Sequence, residues 1–132
     1  GFIPGARDEK KPGELSLVTS APADGELTGI IDILLPKLPW IADAVARAQS
    51  NKIDLGFARV PVIAPEDLII AKCYALRSAP DRFQDLDDLK EIFTSTIQLD
   101  LDYVALKLEA LGLTIPKVLR PAAPQPMKRL CR

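Results

Sequence analysis

Residues 61–93, PVIAPEDLIIAKCYALRSAPDRFQDLDDLKEIF, constrain the fold of this chain more than any other stretch. They read as the end of a strand, a buried helix and an acidic helix. Pro65 suits the first helical position, and Glu66 and Asp67 beside it favour the unpaired amides and the dipole of a helix start. Residues 68–76 are apolar on all sides, so this helix should be buried on most of its circumference. One residue breaks that pattern: Lys72 lies a turn from both Leu68 and Leu76. Residues 77–80 interrupt the helix. Asp81 is then placed to cap a second helix running to about Phe93, with Leu86, Leu89, Ile92 and Phe93 as its apolar face.

Upstream, residues 14–21 alternate apolar and polar and read as a strand. The turn Pro22-Ala23-Asp24-Gly25 leads to a second strand over residues 26–35, and an antiparallel hairpin is the simplest pairing. Residues 40–49 carry Ile41, Ala44, Val45 and Ala48 at helical spacing. KIDLGF and RVPVI then form one bent strand or two paired ones that join the first hairpin, with Gly56 at the bend. Downstream, Asp100 caps a helix over 101–111, and Gly112 stops it. The fold class is α+β: a small mixed or antiparallel sheet of three to four strands with a C-terminal helical bundle. Residues 1–113 form one domain, with a sheet part at 14–63 and a helical part at 64–113. Residues 114–132 read as an extended, flexible tail, rich in proline and bearing five basic residues and no acidic one. Residues 1–13 are polar and broken by Gly and Pro. The opening Gly-Phe-Ile reads as the end of a preceding element, so a fragment or processed product is expected.

Histidine is absent. That removes a His-based triad, a His-ligated zinc site and imidazole acid–base chemistry together. The two cysteines are placed in a helix core and next to the last residue, which argues against a disulfide and for a reducing, cytoplasmic setting. No apolar run approaches the roughly 20 residues that span a bilayer. The net charge of −1 gives no field that would draw the whole chain to nucleic acid or membrane.

Three groups carry the candidate chemistry. Asp32 stands among Ile30, Ile31, Ile33 and Leu34. Either its face of the strand is solvated, or the carboxylate is aimed into a cleft to hold a metal ion. Lys72 either packs its methylenes and lets its ammonium snorkel to water, or points the ammonium at a carboxylate or phosphate. Asp85 and Asp88, with Arg82 one turn before Asp85, make either a solvated acidic face or a group that orients Lys72.

The order Pro65-Glu66-Asp67-Leu68, Lys72, Arg82, Gln84-Asp85-Leu86-Asp87-Asp88-Leu89 resembles the C-terminal half of small bacterial nucleotidyltransferases. These include the minimal nucleotidyltransferases and the AbiE-type abortive-infection toxins of toxin–antitoxin systems. Residues 101–113 resemble the helix that follows in those proteins, and IDILLP resembles the strand bearing their third metal-site carboxylate, here Asp32. The resemblance covers roughly residues 26 to 113 and implies a truncated polymerase-beta-like fold. It implies Mg²⁺ at Asp32, Lys72 near the phosphates of an NTP, and support of that lysine by Arg82, Asp85 and Asp88. The implied reaction is transfer of a nucleoside monophosphate from an NTP to RNA or protein, with metal ions neutralising phosphate charge.

Two departures stand beside it. The family's Gly-Ser start and Asp-x-Asp strand are absent from these residues, and Gln84 replaces the usual lysine. A chain incompetent by itself is therefore expected, with Mg²⁺ bound only if the missing motif is supplied. The alternative is a non-catalytic module, antitoxin-like or a scaffold, that dimerises or binds a partner through an exposed sheet edge. A third possibility is nucleic-acid contact by the basic tail, without interleaved aromatic residues.

Overall fold

Proline and glycine punctuate this chain at the boundaries of its elements. A computed structural model describes residues 2–6, 17–22 and 31–132, with side chains from residue 33 onward. The chain falls into two compact units, Gly1–Ala42 and Asp43–Arg132. The sequence-based division, at 113/114, differs from this one.

The first unit holds a three-stranded antiparallel sheet in the order β1 (Phe2–Ala6), β2 (Leu17–Pro22), β3 (Ile31–Leu34). The β2–β3 hairpin is the one the alternation predicts, with Leu17 opposite Leu34 and Thr19 opposite Asp32. The turn at 22–25 lies, apart from Pro22, outside the described residues. β1 was not anticipated, because Pro4 and Gly5 disguise it. A proline is tolerated on an edge strand, where its missing N–H breaks no ladder bond, and β1 pairs on one side only within the described sheet.

In the second unit β4 (Lys52–Asp54) and β5 (Arg59–Pro61) pair antiparallel, Ile53 opposite Val60. Among the described residues they form a separate two-stranded sheet and do not extend the first hairpin. Gly56 adopts φ +87° at the bend, a left-handed conformation open to glycine, and its amide donates to Asp54 Oδ1 at 2.8 Å. Asn51 closes the base of this hairpin through Nδ2 to Val62 O, 3.0 Å, and Ile63 O, 3.3 Å.

Four α-helices follow the sequence signals: α1 (Ile41–Ala48), α2 (Pro65–Ser78), α3 (Phe83–Thr94) and α4 (Leu101–Ala110). α2 starts on Pro65 as expected and packs against both α3 and α4. α3 differs at its start. Arg82, not Asp81, is the N-cap, and no side chain caps the helix. Asp100 does cap α4, accepting the Tyr103 amide at 3.0 Å, and Gly112 at φ +63° ends the turn after it. The core is Ile69, Ile70 and Cys73 of α2, Leu89 and Phe93 of α3, and Val104 and Leu108 of α4. Among the described residues no helix is long and apolar enough to cross a membrane.

The last residues overturn the expectation of an extended, flexible tail. Two short 3-10 helices, Lys117–Leu119 and Gln125–Leu130, wrap onto the helices, and Leu119, Ala123, Met127, Leu130 and Cys131 are buried. Ile115 and Cys131 form a parallel bridge, with Ile115 N donating to Leu130 O at 3.0 Å and Arg132 N to Ile115 O at 3.1 Å. The prolines that suggested disorder instead restrict the unfolded chain and so lower the entropy lost on folding. Met127, 1% exposed, is the deepest of these anchors. Met127→Ala should lower the unfolding free energy by about 3 kcal/mol in a urea titration. A loss under about 0.5 kcal/mol, typical of a surface change, would mean the segment is not part of the core.

Candidate functional site

α2 is long because its 14 residues lack a breaker before Pro80, and it presents Lys72 toward α3. The Lys72 ammonium donates to Asp85 Oδ1 at 2.7 Å and to Asp88 Oδ2 at 2.5 Å. One turn of α3 separates the two carboxylates, so both reach one ammonium. Gln84 Nε2 donates to Asp88 Oδ1 at 2.8 Å. Arg82 Nε lies 2.9 Å from Asp85 Oδ2, an ion pair whose angle is too poor for a hydrogen bond, so that buried oxygen has no hydrogen-bond partner among the described residues.

Asp85 is buried, so it does not belong to a solvated acidic face. The Lys72 side chain is 19% exposed and that of Asp88 29%, which puts this pair at the rim. Burial pulls the Lys72 pKa down, but hydrogen bonds to Asp85 and Asp88 and their charges outweigh it, and the ammonium titrates above its ordinary value. The Lys72 hydrogen bond, and then that from Gln84, holds Asp88 below the ordinary carboxylate range. Lys72, Arg82, Asp85 and Asp88 thus meet in one group.

Asp32 lies in the other unit, on β3 opposite Thr19. Its side chain is outside those described. The resemblance places Mg²⁺ at Asp32, and the Lys72 group itself offers no donor set for it. Three of the four oxygens of Asp85 and Asp88 accept hydrogen bonds and the fourth faces Arg82, so a cation would have to displace Lys72. Among the described residues no group of three or more His, Cys, Asp or Glu side chains is arranged to hold a metal ion.

A second charged group went unread in the sequence. Arg47 of α1 donates from Nε to Asp67 Oδ2 at 2.8 Å and lies 3.6 Å from Glu66 Oε2. Its guanidinium carbon stands 3.8 Å from the centre of the Tyr103 ring, and the Tyr103 hydroxyl donates to Asp67 Oδ1 at 2.7 Å. Burial, and then the bond to Asp67, pushes the Tyr103 phenol up to about 12. Glu66 Oε1 accepts the Asp100 amide at 2.9 Å. The two acids beside Pro65 therefore bind α1 and α4 to the start of α2, beyond their dipole role. The only sequence signal was the pair of acids in an otherwise apolar segment. A cavity of about 350 Å³ opens beside Arg47, Asn51 and Glu66, but the charges on its wall are already paired with each other. Cys73 and Cys131 are free, as their placement implied; both are buried, which a flexible tail would not give Cys131, and burial raises the Cys73 thiol to about 12, which makes it a poor nucleophile.

No family model, no curated protein and no solved structure matches this chain.

The Lys72 group sets two limbs of a pH profile. Asp88 is depressed on folding, so its contribution is complete above its ordinary value of 3.8 and is lost as pH falls through the lower folded value. Lys72 is raised, so its contribution is complete below 10.5 and is lost as pH rises through the higher folded value. In urea midpoints measured against pH, Asp88→Asn should be less stable than wild type at neutral pH, and the gap should shrink progressively as pH falls below 3.8. A gap that stays constant into acid would contradict the Lys72–Asp88 pairing.

Proposed function

We infer that Lys72 is a phosphate-facing lysine of a nucleotidyltransferase-like domain. Its ancestral reaction is transfer of a nucleoside monophosphate from an NTP to RNA or protein. The observation that carries this reading is the Lys72 ammonium held between Asp85 and Asp88. An ammonium has three N–H donors. Two are spent on the carboxylates, and the third is left for an oxygen at the partly open rim. The carboxylates keep the amine protonated and fix its direction, which is what a positioned phosphate contact needs. Arg82, through Asp85, and Gln84, through Asp88, act as positioning residues at one remove.

The residue pattern supports the reading as well. The resemblance groups Lys72 with Arg82, Asp85 and Asp88, and these side chains lie together.

Isothermal titration of the chain with each of the four NTPs, as non-hydrolysable analogues, tests it. At least one should bind, and Lys72→Met should weaken it by about tenfold to a hundredfold, the worth of one hydrogen bond to a charged group. Thermal melts of both proteins separate lost binding from lost folding. Absence of binding by wild type, or equal binding by a folded Lys72→Met variant, would overturn the assignment.

A further inference from the structure

The C-terminal ends of α2 and α4 come together around a groove that the Lys72 group does not touch. α2 ends with Arg77 and Ser78. Past α4 the chain turns at Gly112 and runs through Thr114 to Lys117, held by the bridge between Ile115 and Cys131. Two cavities of about 340 and 360 Å³ adjoin here, and Gly112, Thr114 and Arg132 line both. Each is large enough for a small ligand, for which pockets of about 300 to 1,000 Å³ are usual.

The charges on these walls are one-sided. Arg77, Lys117 and Arg132 line the first cavity with no acidic side chain. The second adds Arg129 and Glu109, which pair with each other at 2.8 Å. Among the described residues Arg77, Lys117 and Arg132 have no carboxylate partner, and Arg77 rests its guanidinium 4.8 Å from the Tyr74 ring centre. Each helix C-terminus supplies only about half a negative charge. Three side-chain cations therefore exceed the two helix ends and the α-carboxylate of Arg132 by about one unit of charge. In a chain of net charge −1 this concentration is local and not a property of the whole surface.

We propose that this groove binds the phosphates of a phosphorylated ligand. Arg77 offers a planar fork of donors, Lys117 a point charge, Arg132 a second guanidinium and Thr114 a hydroxyl, all groups suited to phosphate oxygens. Cations along both cavities provide for more than one phosphate. No aromatic side chain lines either cavity, so the phosphates and not stacked bases are what the groove recognises. A free polyphosphate and a nucleic-acid strand present the same chemistry. The site does not rest on the role given to Lys72.

Two probes separate the sources: inorganic tripolyphosphate, and a fluorescent oligouridylate of about 12 nucleotides, within the span such grooves cover. Both are titrated at low salt against the whole chain and against Lys72→Met, which removes the other phosphate-facing lysine. One or both should bind in each background. The double variant Arg77→Ala/Lys117→Ala should weaken binding by at least about tenfold and lower the salt slope for the oligonucleotide by about one to two. Both substituted residues are exposed, so its melting temperature should stay near that of wild type. Lys117→Gln alone gives a milder version of the same loss, and Lys90→Ala, on α3, gives none. Binding of tripolyphosphate alone identifies a free phosphorylated ligand, and salt-dependent oligonucleotide binding identifies a strand. Failure of both probes to bind, or unchanged binding in the double variant, would overturn the proposal.

Discussion

The Lys72 ammonium, 2.7 Å from one carboxylate of α3 and 2.5 Å from another, is the contact that sets α3 against α2. A lysine in a buried helix costs desolvation, and two opposite charges at hydrogen-bond distance return it only while the geometry holds. Asp85 is the more deeply buried partner and one of its oxygens already lacks a hydrogen bond. Loss of Lys72 would leave a buried carboxylate with only the poorly aligned Arg82 beside it. The ion pairs therefore do more than add to stability. They fix the register of α3 against α2, which burial of apolar side chains such as Ile69, Cys73, Leu89 and Phe93 would by itself tolerate in several neighbouring arrangements.

The same helix is fixed again at its start. Asp67 takes Arg47 from α1 and Tyr103 from α4, and Glu66 takes the amide that begins α4. A further ion pair joins Lys107 of α4 to Asp43 of α1. α2 thus carries polar anchors at two levels, with Ile69 and Ile70 buried between them. A helix held in this way is a rigid base for a side chain that must meet a ligand, and Lys72 stands at the exposed margin of one anchor.

Much of this was legible in the sequence because it depends on local chemistry. Pro65 opened α2, Asp100 and Gly112 bracketed α4, Gly56 marked the bend of β4–β5, and the i, i+3 spacing of Asp85 and Asp88 marked a shared face. The missed parts depend on distant partners. β1 is a strand because β2 lies beside it, not because FIPGA favours extension. The C-terminal segment was misread because its prolines outweighed a subtler signal. Leu119, Ala123, Met127 and Leu130 recur every three or four residues and all four are buried. The Arg47–Asp67–Tyr103 group joins three helices across long sequence separations, which no local spacing encodes. The side chain of Asp32 remains a sequence expectation alone.

The placement of α3 on α2 requires that Lys72 and Asp85 be coupled in solution. A double-mutant cycle with Lys72→Met, Asp85→Asn and the double variant, read from urea unfolding at neutral pH, measures this directly. The geometry predicts a coupling of at least about 1.5 kcal/mol, at the upper part of the range for contacting residues. Additive single effects, within about 0.5 kcal/mol, would show that the ammonium is not held by that carboxylate and would contradict the account.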